Sequence, residues 1–151
     1  MKIWVDADAC PNAIKEVVFR AAERLAIDTV LVANHHVRVP PSKYLRALQV
    51  PAGFDVADRT IAEQLGPGDL VVTGDIPLAA EVVSRAGTGL DPRGTLYTAE
   101  NIHDHLARRD LMAQLRDEGT ITSRSSALGK KDVQAFANQL DRYLAANARR
   151  P

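Results

Sequence analysis

The sequence predicts an α/β fold in which helices cover both faces of a mainly parallel β-sheet, giving a three-layer sandwich. Short apolar segments alternate along the chain with segments whose apolar residues recur at helical spacing. Residues 29–33 (TVLVA) and 70–73 (LVVT) are almost wholly apolar, as are strands that are covered on both faces in parallel sheets. The chain has 151 residues, of which 46% are hydrophobic. It is therefore expected to form a single domain over residues 1–151.

The first strand and helix lie at the N-terminus. Residues 2–6 (KIWVD) combine β-branched and aromatic side chains, which favours a short strand, and Pro11 follows where the first turn of a helix tolerates it. Residues 11–26 are predicted to form a helix with one buried face, because apolar side chains recur there at helical spacing. These are Ile14, Val17, Val18, Ala21, Ala22 and Leu25. After the second strand, residues 34–44 are predicted to form a loop.

Further strand and helix segments are predicted in the middle of the chain. A strand, a turn, a helix and a buried strand follow one another there, at residues 45–50, 51–54, 55–65 and 70–73. The first of these helices ends because the run GPG follows it. The buried strand passes through Gly74 and Asp75 into another helix, which opens at Pro77 and ends near Gly87.

The C-terminal part is predicted to hold one more strand and two helices. The strand and the turn that follows it are expected at residues 88–90 and 91–94. Thr98 is predicted to cap a helix that runs to about residue 115. Residues 119–130 are rich in Ser, Thr and Gly, which indicates an exposed loop. A last amphipathic helix, at about 132–146, is expected to pack on the domain.

Four aspartates are the candidate functional residues. Asp6 and Asp8 come at the end of the first strand, Asp75 ends a later strand, and Asp58 lies in the helix between them. Side chains two apart in a strand point the same way, so Asp6 and Asp8 are expected to share a face. The carboxyl ends of parallel strands meet at one edge of the sheet, where ligands bind in such folds. Asp58, or failing that Asp55, is expected to reach the same edge.

The chemistry of these aspartates favours a divalent cation. Carboxylates gathered without matching bases repel one another, and Mg²⁺ or Mn²⁺ is the natural occupant because both prefer oxygen ligands. Two such ions, roughly 3.5 to 4 Å apart, activate a water and stabilise the leaving oxygen of a phosphodiester. Asp6, Asp8, Asp58 and Asp75 are thus expected to be both metal ligands and catalytic residues. The alternative is that Asp6 and Asp75 only cap the helices that follow them.

Polar and cationic side chains are candidates for holding a phosphate backbone. Asn34 follows a strand and carries an amide donor, Lys43 lies in the loop beyond it, and the DPRG turn is expected to fix Arg93 near the sheet. The further candidates are Arg46, Arg59, Arg124, Lys130 and Lys131. With Ser125 and Ser126, the two lysines are expected to close over a bound strand as a lid.

Five separated segments carry a family resemblance over nearly the whole chain. They are IWVDADACP, GFDVADRTI, GDLVVTGDIPLAAEVV, DPRGTLYTAENI and QAFANQLDRYL. In this order they resemble the bacterial YaiI/YqxD family. The resemblance implies a PIN-like domain related to the NYN nucleases, hence a nuclease that depends on Mg²⁺ or Mn²⁺ and acts on RNA rather than DNA.

The same resemblance assigns the aspartates by position. VDADA resembles the strand-one aspartate motif of those nucleases, FDVAD their mid-chain helix acid, and VVTGDIPLA their strand-end motif. One departure is Pro77, which stands where the related nucleases often have a second aspartate. It implies a site that holds one metal tightly and a second weakly, or neither productively.

Two other functions fit the same residues. Asp6-Ala7-Asp8 after a hydrophobic strand also looks like the nucleophile motif of haloacid-dehalogenase-type phosphatases, in which Asp6 would attack phosphorus. Cys10 replaces the usual Thr or Val of that motif and its second late acid is missing, so the nuclease is favoured. The non-enzymatic alternative is a module that binds RNA or a nucleotide without cleaving it.

Composition sets the remaining expectations. The 19 Lys and Arg residues match the 19 Asp and Glu residues, so the chain has no global basic footprint for nucleic acid. Cys10 is the single cysteine, and it is expected to pack or cap rather than react. No apolar run is long enough to cross a bilayer, and Asp6 interrupts the N-terminal apolar run before it reaches the length of a signal-peptide core. A soluble cytoplasmic protein without membrane contact is expected.

Overall fold

The computed structural model describes residues 1–119 and 127–148, and these form one six-stranded sheet with helices on both faces. The strands are β1 Ile3–Asp6, β2 Thr29–Ala33, β3 Leu45–Gln49, β4 Leu70–Val72, β5 Thr88–Leu90 and β6 Leu96–Tyr97. Their order is β3-β2-β1-β4-β5-β6, with every neighbouring pair parallel except β5 and β6. The predicted α/β fold around a mainly parallel sheet is confirmed. Arg124, named above as a cationic candidate, and Ser125 and Ser126, named for the lid, lie outside the described residues.

The described residues form five α-helices and a short 3₁₀ helix. The α-helices are α1 Asn12–Leu25, α2 Val56–Gln64, α3 Ile76–Ser84, α4 Ile102–Asp117 and α5 Lys130–Asn147, and the 3₁₀ helix is Ala7–Ala9. None of the helices in the described part of the chain has both the length and the apolar character to cross a bilayer.

Two apolar layers explain why the sheet is buried on both faces. On one face, side chains of α1 and α5 such as Val18 and Phe136 pack with Val5 of β1. On the other face, Ile61 of α2 and Val82 of α3 pack around Trp4, which is 1% exposed. Alternate residues of β1 therefore enter different cores, as the two-residue period of a strand requires. The C-terminal helix α5 contributes Phe136, Leu140 and Leu144 to the first of these cores.

The start of α4 differs from the prediction. The helix begins at Ile102, and Asn101 rather than Thr98 precedes it. The amide side chain of Asn101 accepts a hydrogen bond from the Thr98 N–H at 2.9 Å and donates one to the Leu96 carbonyl at 2.7 Å. These bonds hold residues 98–101 in a turn, because a side-chain amide competes well for backbone groups outside helices.

The strand order creates a crevice at the carboxyl end of the sheet. From β1 the chain moves to β2 and β3 on one side, and it then returns to place β4 on the other side of β1. Connections that leave in opposite directions open a gap between the strand ends, which is where open parallel sheets bind ligands. Asp6 ends β1, and Asp75 follows β4 through Thr73 and Gly74. Both aspartates are thus brought to this crevice.

Candidate functional site

Thr73 joins the two strand-end aspartates. Its hydroxyl donates a hydrogen bond of 2.9 Å to Oδ2 of Asp6. The hydroxyl oxygen of Thr73 also accepts a bond of 3.0 Å from the Asp75 backbone N–H. Asp6 is 8% exposed and Thr73 is 2% exposed, so this contact is shielded from water. Hydrogen bonds to a buried carboxylate are among the stronger ones in proteins. The threonine therefore fixes the end of β1 against the residues that follow β4.

Asp75 also caps the helix that it precedes. Its Oδ1 accepts a hydrogen bond of 2.9 Å from the Leu78 N–H at the start of α3. Asp75 therefore does cap the helix that follows it, whereas the Asp6 side chain makes no capping bond to the 3₁₀ helix after it. A cap uses one carboxylate oxygen, so capping and ligand binding are compatible for Asp75.

Asp58 shares the electrostatic environment of these two residues. It lies in the first turn of α2, where the helix dipole by itself would favour the charged carboxylate. Its pKa is nevertheless raised from 3.8 to about 7, by burial first and then by the charges of Asp6, Asp75 and Asp55 and a hydrogen bond with Asp75. Burial and the carboxylate neighbours thus outweigh the helix dipole.

Asp6 shows the same repulsion. Burial raises its pKa, the hydrogen bond from Thr73 partly offsets that shift, and the charges of Asp75 and Asp8 raise it further. Asp6, Asp58 and Asp75 therefore interact although they come from β1, α2 and the β4–α3 connection. The fold brings together three of the four predicted aspartates as a group, which we call the aspartate cluster.

Asp8 occupies a different position from the predicted one. It lies in the 3₁₀ helix and not in a strand, so the strand alternation that was expected to align it with Asp6 does not apply. Its two carboxylate oxygens accept hydrogen bonds from the backbone N–H of Asn34 at 3.1 and 3.0 Å, and His35 Nδ1 lies 2.8 Å from Oδ1. Asp8 thus contacts the residues after β2. Its interaction with the cluster is electrostatic, because its negative charge raises the pKa of Asp6.

A cavity of about 580 Å³ opens beside the aspartate cluster. Residues before and within α2, residues of α3 and its N-cap, and one residue of α4 line it: Phe54, Asp55, Asp58, Arg59, Ala62, Glu63, Asp75, Pro77, Leu78, Glu81, Arg85 and Arg109. Arg109 and Asp75 also line a second, smaller cavity with Gly74. Carboxylates and arginines therefore share one concave surface, a combination that suits a phosphate held through a cation.

The three predicted substrate-binding residues lie apart from one another. Asn34 follows β2 at the carboxyl edge and is exposed, with its backbone bound to Asp8. Lys43 precedes β3 and so lies at the opposite, amino edge of the sheet, where its Nζ is 5.2 Å from the ring centroid of Tyr44. A five-residue parallel strand spans roughly 16 Å, which separates Lys43 from the aspartates.

Arg93 lies at the carboxyl edge after β5 and is tied to the start of α5. Its Nη1 donates a hydrogen bond of 2.8 Å to Oδ2 of Asp132, which also accepts from the Gly129 N–H at 2.9 Å. Arg93 is therefore held near the sheet by a contact that also holds α5, and its role in substrate binding stays a prediction.

Asp91 is a strand-end carboxylate that the sequence analysis treated only as a turn residue. It follows β5, and a Cβ added at Gly74 would lie 3.8 Å from its Oδ2. Burial raises its pKa, while bonds from the Arg93 backbone and the Tyr97 hydroxyl oppose that shift. The signal was present in the sequence, because Asp91 follows a strand as directly as Asp6 ends one. The arginine Arg109 gave no such signal, since α4 is distant in sequence.

Cys10 is buried at 8% exposure in the core beside α1. Burial is the main cause that raises its pKa to about 12, so the thiol is protonated at neutral pH. The expected packing role is consistent with this environment.

A family model described as "Uncharacterized BCR, YaiI/YqxD family" matches residues 4–146 of the chain. The chain belongs to the YaiI/YqxD family. It is 58% identical over 151 residues to the "UPF0178 protein" of Halorhodospira halophila, covering 100% of this chain and 98% of that protein. It is 57% identical over 145 residues to the "UPF0178 protein" of Janthinobacterium sp., covering 96% of each. No solved structure matches the chain.

The donor set of this YaiI/YqxD protein can be tested against the metal that the resemblance implies. Among residues 1–119 and 127–148, no three His, Cys, Asp or Glu side chains are arranged to hold an ion by themselves. Mg²⁺ does not require such a cage, because it keeps several waters and binds through one or two carboxylates together with substrate phosphates. Asp58 and Asp75 line one cavity, and the charge of Asp75 raises the pKa of Asp58, so two neighbouring carboxylates meet that smaller requirement.

Proposed function

We propose that this protein is a Mg²⁺- or Mn²⁺-dependent nuclease that hydrolyses phosphodiester bonds, with RNA as the substrate. The aspartate cluster carries the proposal: burial, and after it the charges of Asp6, Asp75 and Asp55, raise the pKa of Asp58 from 3.8 to about 7, and Asp58 and Asp75 line one cavity. A divalent cation relieves such repulsion, so the cluster has the chemical character of a cation site. The choice of RNA rests on the resemblance of the family to PIN-like nucleases.

The residues of the site have distinct roles in this proposal. Asp58 and Asp75 would hold the ion, since both line the cavity. Asp6 adds negative charge from β1, and Thr73 keeps that carboxylate in place. Asp8 adds charge from the side of β2 while its oxygens are bound to Asn34. When bound, the ion polarises a phosphoryl oxygen and lowers the pKa of an attacking water.

The arginines of the cavity complete the proposal. Arg59 follows Asp58 on α2, and Arg109 reaches the cavity from α4. Guanidinium groups bind phosphate oxygens through two parallel N–H donors, so they would hold the scissile phosphate next to the cation. Pro77 lines the same cavity where the related nucleases often have an aspartate. We therefore propose a site that works with one tightly held ion.

The burial of Asp6 favours the nuclease over the phosphatase. A covalent phosphatase needs its nucleophilic carboxylate to reach phosphorus. Asp6 is 8% exposed and one of its oxygens accepts the Thr73 hydroxyl, whereas Asp58 and Asp75 line the open cavity. This arrangement favours hydrolysis by a cation-activated water over covalent attack on phosphorus by Asp6.

Cleavage of labelled single-stranded RNA, hairpin RNA and the matching DNA strands tests the proposal. Wild-type protein is incubated with Mn²⁺, with Mg²⁺ or with a chelator, beside Asp58→Asn and the control Asp28→Asn. Asp28 is exposed and lies at the amino edge of the sheet, just before β2. Cleavage by the wild type and by Asp28→Asn, but not by Asp58→Asn or with chelator, supports a metal-dependent nuclease. Metal-independent cleavage, or equal cleavage by Asp58→Asn, contradicts it.

A further inference from the structure

Phe54 is an unusually exposed aromatic residue at the edge of the cavity. Its side chain is 91% exposed, although phenylalanine is among the residues most often buried. It lines the same cavity as Asp58 and Asp75. The other described large apolar residues at the surface, Met1, Leu111 and Met112, are 39% to 52% exposed. The fold therefore presents this ring to solvent beside the aspartate cluster.

The local backbone fixes Phe54 in that position. A Cβ at Gly53 would lie 2.9 Å from Cγ2 of Val56, so a side chain at residue 53 would force the turn apart. Asp55 has a left-handed backbone with φ 61, which carboxylate and amide residues tolerate better than most. Its carbonyl accepts the Arg59 N–H at 2.9 Å, which ties the turn to the first turn of α2. The ring thus sits on a defined turn directly before α2.

Cationic groups line the same cavity as the exposed ring. Arg59 and Arg109 line the same cavity, and Arg85 lines it while its Nε donates a bond of 3.0 Å to Glu81. A surface that combines an exposed aromatic ring with arginines and a cation site matches the two parts of a nucleotide, the base and the phosphate. An aliphatic ligand would use neither the arginines nor the cation site.

We infer that Phe54 stacks on a nucleobase of a single-stranded RNA whose adjacent phosphate lies at the aspartate cluster. The inference rests on the proposed function and makes it more specific. Bases inside a duplex are stacked on one another and do not offer a free face, whereas unpaired bases stack on aromatic side chains. Phe54 therefore selects single strands, loops and ends over paired RNA, with little dependence on which base is bound.

Binding of fluorescently labelled RNA to the wild-type protein, with Ca²⁺ in place of Mg²⁺ because Ca²⁺ also takes oxygen ligands, tests this role, and a gel of the same samples checks that the RNA stays intact. The wild type is compared with Phe54→Ala, with Phe54→Trp, and with Leu111→Ala as a control of an exposed apolar residue outside the cavity lining. Phe54→Ala is expected to weaken binding of single-stranded RNA by roughly 5-fold or more, the effect of losing one stacked base. Phe54→Trp and Leu111→Ala are expected to retain the affinity.

The introduced indole in Phe54→Trp gives a second reading. Trp4 is the single tryptophan of the chain and is 1% exposed, so its emission is a constant background. Stacking is expected to quench the new fluorescence with single-stranded RNA, but neither with a duplex nor with RNA that is abasic throughout. Equal binding by Phe54→Ala, absent quenching, or no binding of single-stranded RNA at all overturns the inference. Failure of wild-type cleavage overturns the proposed function instead, because the binding measurement needs no cleavage.

Discussion

The hydroxyl of Thr73 donates a 2.9 Å hydrogen bond to Asp6, a residue 67 positions away in sequence. The two residues meet because β1 and β4 are parallel neighbours whose carboxyl ends lie side by side. The same hydroxyl oxygen accepts the N–H of Asp75. One threonine thus positions two carboxylates that repel each other, which gives it a structural and an electrostatic role.

Thr73→Val is expected to weaken both roles. Valine keeps the shape of the side chain but removes the hydroxyl, so the buried Asp6 carboxylate and the Asp75 N–H lose their common partner. Leaving buried groups unsatisfied costs about 2 kcal/mol of unfolding free energy. The pKa of Asp6 is expected to rise further, because the Thr73 bond opposes the effect of burial. Thermal and urea unfolding measure the loss, and Thr73→Ser is the control that keeps the hydroxyl. Equal stability of wild type and Thr73→Val would show that the bond is immaterial.

The metal-free protein is expected to lose stability as the pH rises. The unfolded chain releases the Asp58 proton near its ordinary pKa of 3.8, whereas the folded protein holds it until about pH 7. The folded state therefore binds more protons over that interval, and the unfolding free energy falls from about pH 4 to about pH 7. Asp58→Asn removes this contribution. Because the pKa of Asp6 is also raised, the unfolding free energy of the variant still falls with pH, but less steeply.

Melting temperatures with chelator at about pH 5 and about pH 8 measure this difference. Asp58→Asn is expected to be more stable than the wild type at the higher pH and to differ less at the lower pH. Identical pH slopes for the two proteins would mean that Asp58 titrates normally in the fold.

Asp69 is a buried aspartate with a different purpose. It lies before β4 at the amino edge, and its carboxylate accepts the Lys2 N–H at 3.0 Å, the Trp4 Nε1–H at 3.0 Å and the Gly66 N–H at 2.7 Å. Asp69→Ala leaves these donors without their acceptor and is expected to cost about 3 kcal/mol. Urea unfolding, monitored by Trp4 fluorescence, gives the value. The Mn²⁺ affinity is expected to stay unchanged. A lower affinity would contradict the separation of Asp69, at the amino edge of the sheet, from the aspartate cluster at the carboxyl edge.

The sequence predicted the sheet well because apolar continuity and the turn residues agree there. The strands at 29–33 and 70–73 and the helix after Pro11 lie within two residues of their predicted bounds. Thr98 was misassigned as a cap because both Thr98 and Asn101 are residue types that precede helices, and the helix begins only after Asn101, whose amide bonds to Thr98 and Leu96 instead of to α4. Local chemistry alone did not separate these two candidates.

The candidate site was predictable where it depended on strand ends, and less so where it depended on local backbone or distant elements. Asp6 and Asp75 follow from strand polarity, and the same polarity places Lys43 at the wrong edge, since it precedes its strand. The predicted alignment of the Asp8 side chain with that of Asp6 was wrong, because the chain turns into a 3₁₀ helix directly after β1. The exposure of Phe54 was not predicted, because phenylalanine is a residue type that is usually buried, even though a turn was expected at 51–54.

Calorimetric titration with Mn²⁺ tests most directly whether the aspartate cluster is a metal site. The proteins to compare are the wild type, Asp58→Asn, Asp75→Asn and the control Asp28→Asn. Asparagine caps helices as well as aspartate does, so Asp75→Asn keeps the start of α3 while it removes the charge. The wild type and Asp28→Asn are expected to bind, with affinity at least about 10-fold weaker in the other two variants. Equal affinity in all four proteins would contradict a metal site at Asp58 and Asp75.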